Sequence, residues 1–156
     1  MSKRIHVLLV EDNPADANLA RETLMSAHGD VDVTVAKDGI EALDFLTGDG
    51  SWSKPGRPTL IVLDLNLPRK DGRQVLAVLK SHDLLRQIPV VILSSSDSER
   101  DVASCYQLGA NCYVTKPEDL QTYRSVLGLL EDFWLAKARL PRRDGHSIES
   151  GIGYGM

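Results

Sequence analysis

The sequence has only two cysteines and lacks any long apolar run. Cys105 and Cys112 do not have the Cys-x-x-Cys spacing of metal and redox motifs, so buried, reduced thiols are expected. No apolar stretch approaches the roughly 20 residues needed to cross a bilayer. The start, Met-Ser-Lys-Arg followed directly by an apolar strand, predicts no signal peptide. We therefore expect a cytoplasmic protein that does not associate with membranes.

An excess of positive charge and a cluster of histidines are also lacking. The formal net charge is −4 at pH 7, which gives no electrostatic basis for nucleic-acid binding. The four histidines are scattered along the chain and predict no metal cluster. A length of 156 residues suits one domain with a substantial core. We expect that domain to cover residues 1–137 and a C-terminal arm or tail to cover residues 138–156.

Short apolar runs typical of buried strands alternate with segments of helical periodicity. The predicted strands are Ile5–Val10, Val31–Ala36, Leu60–Leu63, Pro89–Leu93 and Cys112–Thr115. A helix is predicted after each strand, and the last helix runs to about Lys137. This (βα)5 order predicts a doubly wound α/β fold with a parallel sheet, in the flavodoxin-like strand order 2-1-3-4-5. The polar loop at 47–58 is longer than most connections, and the sequence suggests no role for it.

The apolar periodicity also assigns an inward face to each helix. The residues predicted to face inward are Val75, Val78 and Leu79 in the third helix, Val102, Cys105, Tyr106 and Gly109 in the fourth, and Val126, Leu129, Leu130 and Phe133 in the last. Ser96 or Asp97 is expected to cap the fourth helix.

Polar or charged side chains follow four of the five predicted strands. Glu11 and Asp12 follow the first strand, Asp64 the third, Ser94 the fourth and Lys116 the fifth. In the strand order 2-1-3-4-5 these groups meet at one edge of the sheet. Carboxylates at close range repel by about 4 kcal/mol per pair at intermediate dielectric, which predicts a bound cation, and oxygen ligands suit Mg²⁺. A metal, a lysine, a hydroxyl and an aspartate can together handle a phosphoryl group.

These residues resemble the receiver domains of two-component response regulators over about Ile5 to Lys137. The resemblance implies that Asp64 is the phosphoacceptor. The implied Mg²⁺ ligands are Glu11, Asp12, Asp64 and the main-chain carbonyl of Asn66. The implied switch residues are Ser94 as the hydroxyl, Tyr113 as the aromatic side chain and Lys116 as the phosphate partner. The family often has Thr at position 94 and Phe at position 118, where this chain has Ser94 and Glu118. The serine keeps the hydroxyl, whereas Glu118 puts the shape of the output face in doubt.

Other interpretations of the same residues stay open. Glu11 and Asp12 could be acidic residues at a helix start, Lys116 a solvated loop lysine and Tyr113 a core residue. A Mg²⁺-dependent phosphatase could use Asp64 as its nucleophile, but the dehalogenase-type enzymes carry a second aspartate two residues later, where this chain has Asn66. A scaffold with a vestigial site is the third possibility, and the complete set of acids, hydroxyl and lysine argues against it.

A second resemblance rests on the C-terminal sequence. Phe133-Trp134-Leu135 followed by Leu140-Pro141, together with the long loop at 47–58, resembles stand-alone response regulators that pair with cyanobacterial and bacterial phytochromes. It implies a light-regulated sensor histidine kinase as the phosphate donor. No output domain is expected after the last helix, so the protein would act by binding, relaying phosphate or dimerising and would not be an enzyme.

The last predicted helix carries more apolar residues than one sheet face can cover. A stripe somewhat over 100° wide is enough for a helix on a sheet, and Leu127, Trp134 and Ala138 extend the inward face beyond that width. The surplus predicts a two-fold homodimer through the region of Phe133, Trp134, Leu140 and Pro141, with each arm packed on the other chain's helix. The resemblance to phytochrome-paired regulators implies the same exchange of arms. The alternative is a monomer whose arm folds back over its own helix.

Overall fold

The structure, a computed structural model, describes residues 5–26, 30–47 and 57–141. Five parallel strands form one sheet in the order β2-β1-β3-β4-β5, as predicted for a flavodoxin-like fold. The strands are β1 (Ile5–Val10), β2 (Val31–Ala36), β3 (Leu60–Leu63), β4 (Val90–Ser94) and β5 (Cys112–Thr115). Only β4 differs from its prediction, since it begins and ends one residue later. Residues 48–56, the greater part of the predicted loop at 47–58, lie outside the described residues.

Helices cover both faces of this sheet. They are α1 (Pro14–Ser26), α2 (Gly39–Thr47), α3 (Gly72–Ser81), α4 (Glu99–Leu108) and α5 (Leu120–Leu130). A 3₁₀ turn at Leu85–Gln87 precedes β4, and a π-helical segment at Glu131–Lys137 continues α5. Residues of α2, α3 and α4 pack in one core cluster, and residues of α1 and α5 pack in the other. No helix in the described ranges is long and apolar enough to span a membrane.

Side chains cap the helices that follow the site-bearing strands. Asp71 and Gln74 form a capping box at the start of α3. Ser98 caps α4, where its side chain accepts a hydrogen bond from Asp101 N. The expected caps Ser96 and Asp97 are therefore wrong. The Ser96 hydroxyl donates instead to the Asp101 side chain.

Val78 in α3 and Tyr106 in α4 were predicted to face inward, and both predictions are wrong. Val78 is 37% exposed and Tyr106 is 49% exposed. Leu76 is fully buried instead of Val78, so the buried face of α3 is rotated toward the residue next to Val75. Tyr106 lies at the sheet edge, where its hydroxyl accepts a hydrogen bond from Tyr113 N at 3.1 Å. A polar partner at the edge of the core explains why this aromatic residue is not enclosed.

The last helix also faces the sheet differently from the prediction. Leu129 and Phe133 are 70% and 55% exposed, so their assignment to the inward face is wrong. The buried residues are Tyr123, Leu127 and Leu130 in α5 and Leu135 beyond it. Part of the reason is the π-helical winding, in which Ala138 N bonds to Phe133 O rather than to the carbonyl four residues back. The wider turn brings Leu135 to the sheet in place of Phe133.

Gly72 permits a close contact that fixes α3 against the end of β3. A Cβ atom at this position would lie 2.3 Å from the main-chain oxygen of Asp64 and 2.7 Å from Leu65 Cα. Both neighbours are main-chain atoms, so neither can move aside by rotating a side chain. The amide of Gly72 also donates to Leu65 O at 2.9 Å. The start of α3 is therefore tied directly to the residue expected to accept phosphate.

We expect Gly72→Ala to destabilise the protein by about 1–3 kcal/mol, because the added methyl group must displace main chain. Urea unfolding would measure the loss. The matched control is Gly128→Ala in α5, where a Cβ meets nothing within 4 Å. That variant should be neutral or more stable by up to about 1 kcal/mol, since alanine favours a helix interior. Equal unfolding midpoints for the two variants would contradict the close contact at Gly72.

Candidate functional site

The sheet brings three predicted carboxylates together at its carboxyl edge. Hydrogen bonds from Glu11 N to Ala36 O and from Asp64 N to Val10 O extend the strand pairing one residue beyond β1 and β3. As a result, oxygen atoms of Glu11, Asp12 and Asp64 all lie within 4.8 Å of one another. Glu11 and Asp64 are buried, whereas Asp12 is exposed. Oxygen donors at this separation fit a hard divalent cation, with room on the Asp12 side for water ligands.

Lys116 enters this cluster from the end of β5. Its Nζ lies 2.7 Å from Glu11 Oε1 and 3.5 Å from Asp64 Oδ2. It also lies 3.3 Å from Asp16 Oδ2, a contact that the sequence analysis missed. Asp16 stands in the first turn of α1, and no sequence signal distinguishes it from an ordinary acidic residue at a helix start. The interpretation of Lys116 as a solvated loop lysine is excluded, since its side chain is only 12% exposed.

Burial and charge shift the pKa values of these groups. Burial raises the pKa of Glu11, and the hydrogen bond from Lys116 offsets this only in part. Burial likewise raises the pKa of Asp64 against the opposing charge of Lys116. The pKa of Lys116 is raised because its hydrogen bond to Glu11 and the charge of Asp64 outweigh its own desolvation. The site thus has one ammonium group in contact with three carboxylates, and Asp12 lies beside two of them. This excess of negative charge favours a cation.

The two predicted switch residues contact the same loop residue. Ser94 is fully buried at the end of β4, and its Oγ accepts a hydrogen bond from Ser96 N at 3.2 Å. The Tyr113 hydroxyl donates to Ser96 O at 2.7 Å. Ser94 and Tyr113 are thus both bonded to the main chain of Ser96. Ser96 was not among the predicted switch residues, and its place two residues after Ser94 is the only sequence signal for this contact.

Asn66 is exposed in the loop after β3, and its main-chain N–H donates to Asp64 Oδ1 at 3.3 Å. This bond orients the Asp64 carboxylate. Two hydrogen bonds from Arg69 to Asp38, at 2.9 and 3.1 Å, hold the same loop against the start of α2. Asn66 carries no acidic proton, so position 66 cannot serve as the general acid of a dehalogenase-type phosphatase. The metal contact predicted for its carbonyl stays a prediction.

The sequence profile of the response regulator receiver domain matches residues 7–127. The chain belongs to the response regulator receiver family. It is 44% identical to the response regulator Rcp1 of Synechocystis over 135 residues, which is 86% of this chain and 92% of that protein. Signalling by two-component phosphorelay is the function of this family, whose members are in general signal transducers rather than enzymes.

Two solved structures resemble the fold closely. The phosphorylated cyanobacterial phytochrome response regulator RcpA has a TM-score of 0.87 and 44% identity, with 90% of this chain and all of that chain covered. The Mn²⁺-bound form of Rcp1 has a TM-score of 0.85 and 43% identity, with 88% and 99% covered. Receiver domains bind a divalent metal at an acidic pocket, and the corresponding pocket here is the cluster of Glu11, Asp12 and Asp64.

We expect a divalent cation to stabilise the folded protein by relieving the repulsion between these carboxylates. At about 100 times its dissociation constant, MgCl₂ or MnCl₂ should raise the free energy of unfolding by about 2.7 kcal/mol. The gain should decline as the pH is lowered, because burial raises the pKa values of Glu11 and Asp64 and protons then compete with the metal.

Urea unfolding of wild type and Asp64→Asn, with and without the metal, would measure this effect. The variant should gain less from the metal, because it has lost one charged ligand. Asp83→Asn, a change of equal charge at an exposed residue, should gain as much as wild type. A gain in Asp64→Asn as large as that of wild type would contradict the assigned cluster.

Proposed function

We propose that the protein is a single-domain phosphorylation switch in which Asp64 accepts a phosphoryl group from the phosphohistidine of a sensor histidine kinase. The carboxylate oxygen of Asp64 forms a bond to phosphorus while the bond from phosphorus to the histidine nitrogen breaks. The observation that carries the proposal is the position of Asp64, between the carboxylates of Glu11 and Asp12 and the ammonium group of Lys116. A carboxylate flanked by a cation site and a lysine has the charge partners that an incoming phosphoryl group needs.

The proposed cation is Mg²⁺, held by Glu11, Asp12, Asp64 and the main-chain carbonyl of Asn66. When bound, it would neutralise negative charge on the phosphoryl oxygens. Lys116 would leave its contacts with Glu11 and Asp16 to pair with a phosphoryl oxygen. Ser94 would donate its hydroxyl proton to another oxygen, and Tyr113 would change position in response. Phosphorylation adds close to two negative charges, enough to bias such a two-state element.

Two other functions have weaker support. A phosphatase reaction at Asp64 would need a proton donor for the leaving group, and Asn66 cannot supply one. A vestigial scaffold would not need to retain the complete set of acids, hydroxyl and lysine. We therefore propose that the protein has no enzymatic turnover of its own and acts by binding or by relaying phosphate. Its net charge of −4 gives no support for nucleic acid as a partner.

We propose a phytochrome-type histidine kinase as the phosphate donor and the cytoplasm as the location. The donor is supported by the similarity to solved structures of a cyanobacterial phytochrome response regulator and of a bacteriophytochrome response regulator. Phosphate transfer from candidate phytochrome kinases, followed in light and in darkness, tests the donor. The proposed receiver domain covers residues 1–137. The proposed arm covers residues 138–156, of which 142–156 lie outside the described residues.

A homodimer through the region of Phe133, Trp134, Leu140 and Pro141 is also proposed. Leu129 and Phe133 are 70% and 55% exposed on the outer side of the last helix. Phe133 and Trp134 stack edge to face, with ring centroids 5.4 Å apart. Trp134 and Leu140 are partly buried against the core of the same chain, so the arm covers some of this surface itself. The apolar side chains that stay exposed are the support for a second copy as the partner.

The first test of the proposed function is phosphorylation by acetyl phosphate and Mg²⁺. We expect one phosphate to be added, and Asp64→Asn to abolish the addition because an amide is not a nucleophile for phosphorus. Intact-protein mass spectrometry would detect the change in mass. Asp83→Asn controls for the lost charge and should be phosphorylated normally. A phosphate that is still added to Asp64→Asn would refute the assignment of Asp64 as the phosphoacceptor.

The dimer is tested by sedimentation of the full chain at micromolar concentration, with and without acetyl phosphate. We expect association that weakens at least about tenfold in Phe133→Ala or Trp134→Ala, as for an aromatic residue at an interface centre. Leu120→Ala is the matched control, since Leu120 is 60% exposed at the opposite end of α5. A wild-type chain that stays monomeric under both conditions would show that this surface serves another purpose.

A further inference from the structure

Ser96 uses its main chain and its side chain for different contacts. Its main chain bonds to both switch residues, Ser94 and Tyr113. Its Oγ donates to Asp101 Oδ2 at 2.6 Å and accepts a hydrogen bond from Ser98 N at 3.3 Å. The side chain thus ties the loop between β4 and α4 to the first turn of α4. The position of the main-chain groups that meet the switch residues depends on this attachment.

Asp101 is in turn held by a residue of α3. Arg73 Nη2 donates to Asp101 Oδ1, and Arg73 Nη1 donates to Asp71 Oδ2 at 3.2 Å. Asp71 is the N-cap of α3, and the next residue, Gly72, packs directly on the main chain of Asp64. Arg73 therefore connects the helix start beside Asp64 with the helix that holds Ser96.

The ion pair between Arg73 and Asp101 is partly shielded from solvent. The side chains are 31% and 24% exposed, so the pair is less screened than one on the open surface. The hydrogen bonds from Ser96 and Arg73 lower the pKa of Asp101. Asp101 is therefore a carboxylate at neutral pH and accepts both bonds at once. Charge-assisted hydrogen bonds of this kind are stronger than neutral ones.

We infer that the Arg73–Asp101 ion pair is a positioning device that couples Ser94 to Tyr113 by fixing Ser96. The inference rests on the proposed phosphorylation of Asp64. Neither residue of the pair contacts the phosphoryl site. With the pair in place, a movement of Ser94 is transmitted through the held Ser96 main chain to the Tyr113 hydroxyl. Without the pair, the loop has more conformations, and Ser94 can move without moving Tyr113.

The first experiment uses the full chain without metal or phosphate. NMR spectra would compare wild type with Arg73→Gln, Asp101→Asn and the double variant, read at the Ser96 amide and the Tyr113 ring. We expect each single variant to shift both signals, and the double variant to shift them no further, since the two changes remove one interaction. Shifts confined to the neighbours of residues 73 and 101 would overturn the inference.

Two controls separate this effect from loss of charge or of fold. Asp83→Asn and Arg86→Gln make the same charge changes at exposed residues near the amino end of β4, and they should leave the Tyr113 signals unchanged. Ser96→Ala removes the hydroxyl bridge but keeps both charges and both main-chain groups. It should reproduce the shifts of Asp101→Asn. Wild-type Tyr113 signals in folded Ser96→Ala would also overturn the inference.

The second experiment adds Mg²⁺ and fluoroberyllate, a phosphoryl analogue. In wild type we expect shifts at both Ser94 and Tyr113. In Asp101→Asn we expect the Ser94 shift to persist and most of the Tyr113 shift to be lost, a separation that a merely structural role would not produce. A full Tyr113 response in Asp101→Asn would overturn the inference. If wild type does not bind fluoroberyllate, the proposed function fails, and the unligated spectra still decide whether the ion pair positions Ser96.

Discussion

The pairing of a partly buried lysine, Lys116, with two buried carboxylates is the interaction on which the site depends. Glu11 and Asp64 end strands at the middle of the sheet, and a buried charge without a partner costs several kcal/mol. Lys116 supplies the partner from β5, an edge strand more than a hundred residues from β1 in the sequence. Its own amide donates to Ser94 O at 2.6 Å, so the same residue fixes the end of β4. Lys116 therefore joins the end of its own strand to the ends of β1 and β3 through its ammonium group and to the end of β4 through its main-chain amide.

The same pairing leaves the site with more negative than positive charge. Asp12 and Asp16 add to the two buried carboxylates, and Lys116 balances only one of the four. An anion such as a phosphoryl group would meet net repulsion in this environment unless a cation arrived with it. The charged residues at the strand ends thus determine the order in which a cation and a phosphoryl group can bind at the site. On the proposed function, a metal would therefore precede or accompany the phosphoryl group.

The strand order and the residues that meet at the carboxyl edge of the sheet could be predicted because each strand ends at a sharp boundary between apolar and charged residues in the sequence. Short apolar runs end abruptly at Glu11, Asp64 and Lys116, and a parallel sheet collects such ends at one edge. Asp16 could not be predicted, because it lies within a helix whose rotation is set by packing. The cap at Ser98 was missed because Ser96, Asp97 and Ser98 are all suitable caps, and it is the hydrogen bond from Asp101 N to the Ser98 side chain that identifies the one used.

The buried face of the last helix could not be predicted because the apolar residues of this helix form two adjoining stripes. Leu127 and Leu130 belong to the buried stripe, while Leu129 and Phe133 belong to the exposed one. A sequence pattern also assumes 3.6 residues per turn, which the π-helical segment does not follow. Tertiary contacts with α1 and with the sheet, absent from any local pattern, select the stripe that is buried.

The π-helical winding of Glu131–Lys137 sets the direction in which the chain leaves the domain. A π-turn accommodates about one residue more than an α-turn, and each residue of an α-helix corresponds to about 100° of rotation. Deleting a single residue from this segment would therefore swing Ala138–Pro141 about a quarter of the way around the helix. The arm would then emerge over a different side of the sheet. Deletion of one codon could thus redirect Ala138–Pro141 while leaving the cluster of Glu11, Asp12 and Asp64 intact.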